Sequence, residues 1–157
     1  QLADDRLAAA LIPDLEHLPA HPMKIFVRAK GPERIVLTSD CVHIAGLKPG
    51  KYFLGGQEVE LLASGRICLS GTDLLAGSSL GLLQGVVHAA HVTELTLEQA
   101  FQSAGPIPAK LFGLPYSFAL PKEGAKADFV LFDIAARSDG RPVVEPKCVF
   151  IDGERKL

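Results

Sequence analysis

The spacing of apolar residues changes along the chain, and each change marks a different kind of element. Leu2, Leu7 and Leu11, set among alanines, predict a helix over 2–11 that Pro13 ends. A second helix opens at Pro22, since proline suits the first turn where its missing N–H would have no partner, and closes at Gly31. The run from Ile35 to Leu37 reads as a buried strand. From Lys51 to Leu69, short apolar alternations punctuated by Gly55-Gly56 and Ser64-Gly65 predict an antiparallel meander. Its inward positions are Tyr52, Leu54, Val59, Leu61, Ile67 and Leu69.

Helical spacing returns in "GSSLGLLQGVVHAAHV", where Leu80, Leu83, Val87 and Ala90 form a stripe that Leu82, Val86 and Ala89 widen, so this helix is expected to be mostly buried. Thr96 and Gln99 have the spacing of a capping box, and the helix they open ends at Gly105-Pro106. A short turn, "PAKLFGL", stops at Gly113. After Tyr116 the pattern becomes strand: "ADFVLFD" alternates, and "KCVFIDGERKL" carries an Asp152-Gly153 turn. The front of the chain therefore alternates helix and strand as a parallel α/β unit does, with a second strand ending near Asp14 to His17, and the tail is a small β module. Two strands separated by helices leave open edges, so the inventory is that of an incomplete sheet.

Composition narrows the class. The 157 residues are 48% hydrophobic and 22% charged with a net charge of -2, which is globular and argues against disorder. No long basic run is present to neutralise phosphates, so no nucleic-acid partner is expected. Lys24, Arg28 and Lys30, the densest basic group, fall near a helix end, where the dipole and solvation account for them. Cys41, Cys68 and Cys148 are odd in number and widely spaced, which is neither a disulfide framework nor a metal-ligand pattern, and a reducing cytoplasm is the expected location. No apolar stretch approaches the ~20 residues needed to span a bilayer, and no membrane partner is expected. The chain begins with Gln1, as a piece of a longer protein would.

The strand at 35–37 runs out through Thr38 and Ser39 to Asp40. A carboxylate at the mouth of an apolar strand needs a partner, a cation or a chemical task, although a turn or cap aspartate is the plainer alternative. His17 and His21 have i, i+4 spacing, but Pro19 and Pro22 interrupt any helix that would aim them at one ion. His43 has no partner pattern, and His88 and His91 lie off the apolar stripe of their helix, as solvated or core-edge histidines do. The Gly77-Ser78-Ser79 stretch reads equally as a substrate loop or as a helix N-cap.

Five pieces occur in order: "PDLEHLPAHP" with its histidine, a helix ending Arg28-Ala29-Lys30-Gly31, the strand ending in Asp40, the Gly55-Gly56 meander, and "LAGSSL". With "PAKLFGL" and "EGAKADFVLFD" they extend over nearly the whole chain, which resembles the C-terminal portion of N-acetylglucosamine-6-phosphate deacetylases in the amidohydrolase superfamily. The resemblance implies an α/β fold: the last part of a (β/α)8 metal-dependent hydrolase barrel, strands 7 and 8 with their helices, followed by a small β-sandwich portion. Residues 1–114 would be barrel, with the meander inserted at 51–69, and residues 115–157 the sandwich strands.

In such barrels chemistry sits at the C-terminal ends of strands. The resemblance makes Asp40 the catalytic carboxylate that takes a proton from the attacking water and delivers it to the departing amine. It makes His17, Leu75, Ala76 and Gly77 substrate-binding, and implies a divalent metal, zinc or similar, in a full-length parent acting on an amino-sugar phosphate. Asp14-Leu15-Glu16-His17 departs from the family's Asp-Gly-any-His, replacing a glycine by leucine and placing a carboxylate where it would repel a phosphate if it pointed inward. Cys41 stands where alanine is usual.

No His-x-His pair occurs, so the ligand set is short and the chain alone is expected to hold no metal and to be inactive. Two alternatives stay open. One is a non-catalytic binding or oligomerisation module whose open edges are covered in a homodimer. The other is a different amidohydrolase with a similar tail.

Overall fold

The computed structural model describes residues 1–114, 123–124 and 126–157. The expected onset of the all-strand tail at Tyr116 lies outside the described residues. Eight strands and four helices occur in the described residues, in the order β1 (Ala9–Leu11), α1 (Ala20–Lys30), β2 (Ile35–Leu37), β3 (Gly50–Leu54), β4 (Gln57–Leu61), β5 (Ile67–Leu69), α2 (Leu82–Val92), α3 (Leu97–Ala104), α4 (Pro106–Leu111), β6 (Phe129–Ala136), β7 (Pro142–Ile151) and β8 (Glu154–Arg155).

They form three small open sheets, and no closed barrel occurs among the described residues. β1 and β2 pair in parallel, Ala9 with Ile35 through Leu11 with Leu37, and α1 is the crossover between them. β3, β4 and β5 form the antiparallel meander, and β6, β7 and β8 a second antiparallel sheet.

The expected helix over 2–11 does not form. Instead the Lys30 ammonium, 2% exposed, donates to the carbonyls of Gln1 at 2.8 Å, Asp4 at 2.7 Å and Leu7 at 2.9 Å. Those carbonyls turn inward onto a cation rather than along a helix axis, and the segment ends in β1 instead. β1 stops at Leu11, short of the expected Asp14–His17 end. Lys30 is accordingly a buried structural clamp and not a solvated helix-end lysine. Lys24 and Arg28 do lie at the surface, both paired with Glu94.

The first core lies between the parallel pair and the helices. Met23 and Val27 of α1 meet Ile35 and Leu37 of β2, Val86 and Ala89 of α2, and Ala100 of α3. The Thr96–Gln99 capping box is present, Gln99 N–H donating to the Thr96 hydroxyl at 3.1 Å and Thr96 N–H to Gln99 at 2.9 Å. The second core lies inside the meander, where Val59, Leu61 and Ile67 bury with Ile44 against Tyr52, Leu54 and Leu69.

Gln84 joins α2 to the tail: its Nε2 donates to the Pro142 carbonyl at 2.9 Å and its Oε1 accepts from Val144 N–H at 2.8 Å. The Phe101 and Phe132 rings, 5.9 Å apart, make a second contact between the helices and β6. No described helix is long and apolar enough to cross a membrane.

Candidate functional site

The segment after β2 pairs again at Cys41. Cys41 bridges Ser78 in parallel, with Ser78 N–H donating to the Asp40 carbonyl at 2.9 Å and Val42 N–H to the Ser78 carbonyl at 3.0 Å. On its other side the same loop joins the meander, Leu75 bridging Cys68 and Ala76 N–H donating to Ile67 at 3.0 Å. Leu75–Ser78 is therefore a strand-like rung between β5 and the end of β2. That placement excludes Ser78 as a helix N-cap, since α2 begins only after Gly81.

Gly77 makes the approach possible. Its φ is +81°, and a Cβ there would stand 2.4 Å from Val42 Cγ1, so a side chain is excluded both by backbone conformation and by space. Ala76 packs toward the meander core. Asp40 is exposed and has a left-handed φ of 50°, an uncommon state for a non-glycine residue.

His17 sits in the turn that follows β1. Asp14 Oδ1 accepts the N–H groups of Glu16 at 3.0 Å and His17 at 2.9 Å, and Asp14 Oδ2 lies 2.7 Å from His17 Nδ1. Burial alone would raise the pKa of the Asp14 carboxyl. The hydrogen bonds from the His17 ring and from the two N–H groups, with a smaller contribution from the Ser78 hydroxyl, outweigh burial and hold it below the ordinary carboxylate value. Leu15, at the position where the deacetylase pattern has glycine, adopts φ 67°.

A cavity of about 220 Å³ opens beside these loops, lined by Asp14, Glu16, Leu75, Gly77 and Ser78 together with Arg66. Glu16 Oε2 stands 3.8 Å from Arg66 Nε, so a cation offsets much of the charge Glu16 brings to the cavity. Of the residues singled out from sequence, Leu75 and Gly77 line this cavity, Asp40 reaches the same loop through its carbonyl, and His17 reaches it through Asp14.

Sequence reasoning missed Arg66, whose partner Glu16 is far along the chain, and took Asp14 and Ser78 only as parts of their motifs; the partners of Asp14 are close by, and its Asp-x-x-His spacing was a usable signal. It also misplaced His88, which is buried, with Nδ1 lacking a partner. Gly85 lets α2 press onto Pro13, 2.8 Å from where a Cβ would be, and that close approach carries His88 inward. Desolvation lowers its pKa, the nearby charge of Arg141 adds to the effect, and the Pro13 and Pro142 carbonyls oppose it.

No three His, Cys, Asp or Glu side chains among the described residues converge to hold a metal ion. The residues present do not fit a divalent-metal site by themselves.

The model of the amidohydrolase family matches residues 59–156. The chain belongs to the amidohydrolase family. Among relatives of this chain, the human N-acetylglucosamine-6-phosphate deacetylase is 35% identical over 138 residues, a match covering 84% of this chain and 33% of that protein. A putative N-acetylgalactosamine-6-phosphate deacetylase of Escherichia coli K12 is 33% identical over 133 residues, covering 84% of this chain and 77% of that one.

Among solved structures, the N-acetylglucosamine-6-phosphate deacetylase of Thermotoga maritima superposes with a TM-score of 0.77 at 28% identity, covering 98% of this chain and 39% of its own. A mutant of the Mycobacterium smegmatis enzyme in complex with N-acetyl-D-glucosamine-6-phosphate gives a TM-score of 0.80 at 27% identity. The chain thus spans about a third of the length of the human, zebrafish and Lysinibacillus relatives, 33%, 30% and 33% respectively.

Proposed function

We propose that this chain is the C-terminal part of a deacetylase that removes the acetyl group from an N-acetylated amino-sugar phosphate. The carrying observation is the position of Asp40: an exposed carboxylate just beyond β2, held beside the Leu75–Gly77 loop by the bond from Ser78 N–H to the Asp40 carbonyl. A carboxylate in that place serves as a general base and then a general acid. It accepts a proton from the water that attacks the acetamide carbon, and returns it to the nitrogen as the C–N bond breaks, giving acetate and the free amine.

Leu75 and Gly77 bring backbone close to the cavity, and His17 supplies a ring held by Asp14. The kinship with deacetylases and the mutant relative's sugar-phosphate complex support this substrate class. β1 and β2 would then be the last two strands of a barrel completed by polypeptide outside these residues. That polypeptide would also supply the metal ligands the chain lacks, so the isolated chain is inactive in this reading.

The test is acetate release from a panel of N-acetylated amino sugars, with and without the 6-phosphate, by the complete parent loaded with zinc. Release from a 6-phosphorylated member supports the reading. Turnover of none, with the chain instead forming a stable dimer, would favour the non-catalytic module.

A further inference from the structure

We propose that Asp14 is a positioning residue of the candidate site, holding the His17 imidazole with Nδ1 as donor and Nε2 left for the ligand. The inference rests on the reading of His17 as a substrate contact and adds a residue to it. An ionised carboxylate can only accept hydrogen bonds, so the 2.7 Å contact from Asp14 Oδ2 to His17 Nδ1 requires the proton on Nδ1. The two carboxylate oxygens have separate tasks: Oδ1 accepts the Glu16 and His17 N–H groups and fixes the turn, and Oδ2 fixes the ring.

Asp14 is well placed for this. Its side chain is 7% exposed, against 22% for that of His17, so the anchor is buried and the ring it holds is open to a ligand. Only the nitrogen facing away from the carboxylate remains available, and its tautomer is set before the ligand arrives. Asp14 also lines the cavity it shares with Leu75, Gly77 and Ser78, so the same carboxylate registers the His17 turn against the substrate loop.

The division of labour makes Asp14→Asn informative. Its carbonyl oxygen would stay with the two backbone N–H groups, preserving the turn, and its NH2 would face His17 Nδ1. A donor in that place takes the Nδ1 lone pair and moves the ring proton to Nε2. The experiment is long-range ¹H–¹⁵N correlation of the imidazoles in the ¹⁵N-histidine-labelled 157-residue chain, at a pH where the rings are neutral, with exposed His21 and His43 as internal references.

The wild-type chain should show His17 as the Nδ1–H form, against the Nε2–H preference of an unconstrained imidazole, and D14N the Nε2–H form with the backbone amide shifts of Glu16 and His17 kept, which loss of the turn would not leave. In the parent enzyme D14N should raise KM about ten- to a hundredfold with kcat little changed. A wild-type His17 already in the Nε2–H form overturns the proposal without any variant, and an unchanged tautomer in D14N overturns it as well. Reversal with an unchanged KM would instead overturn the reading of His17 as a substrate contact.

Discussion

Leu15 carries a backbone conformation that leucine seldom takes, and its replacement tests the geometry of the turn holding His17. At φ 67° a residue with a Cβ pays roughly 1–2 kcal/mol relative to its preferred conformations. Leu15 recovers part of that by packing against the first core, where it is partly buried, a contribution of about 1 kcal/mol if half of a full leucine burial is counted.

Leu15→Ala loses the packing and keeps the strain, so it should destabilise by about 1 kcal/mol. Leu15→Gly loses the same packing and relieves the strain, while its greater freedom in the unfolded chain costs ~0.5–1 kcal/mol. The glycine variant should therefore be more stable than the alanine variant by about 0.5–1 kcal/mol. That is the reverse of the usual order. In a domain of this size the difference is a Tm gap of about 1–4 °C, readable by circular dichroism and by urea titration. An alanine variant more stable than the glycine variant would refute a left-handed Leu15.

Gly77→Ala should destabilise by about 2–4 kcal/mol, combining backbone strain with a methyl 2.4 Å from Val42 Cγ1. Adding Val42→Ala should recover only the steric part in a urea-denaturation cycle. Lys30→Met keeps the stem and orphans three carbonyls, so a loss of about 2–3 kcal/mol and faster amide hydrogen exchange over 1–8 are expected.

His88 has its pKa lowered by burial, so the unfolded chain binds its proton more readily than the folded one. Stability should thus fall as pH drops from about 6.5 toward the lower folded value. His88→Gln should flatten that part of a denaturation-versus-pH curve.

The parts of the fold that could be read from the residues are those fixed by local signals. The meander follows from its alternation and glycine turns, α3 from the Thr96–Gln99 box, and the hairpin turn of the tail from Asp152-Gly153, whose φ values of 53° and 77° suit that pair. The stretch 2–11 misled because its backbone carbonyls turn onto Lys30, on a different element, and nothing nearby in sequence reveals a buried ammonium.

His88 misled for a related reason: an apolar stripe does not show how far around a helix its neighbours extend, and close packing at Gly85 and Pro13 reaches past the stripe. Asp40 stood out because a charged residue ending an apolar strand is unusual. Asp14 was harder to see, since its importance lies in contacts to Glu16, His17 and Ser78 that only the folded turn creates.

The most direct test of the account is Asp40→Asn in the zinc-loaded parent, assayed for acetate release from an N-acetylated amino-sugar 6-phosphate. Loss of the proton carrier should lower kcat by about 10²–10⁴ while KM and metal content stay near those of the unaltered enzyme. Retention of most of the turnover would contradict the assignment of Asp40 and, with it, the mechanism drawn from its place at the end of β2.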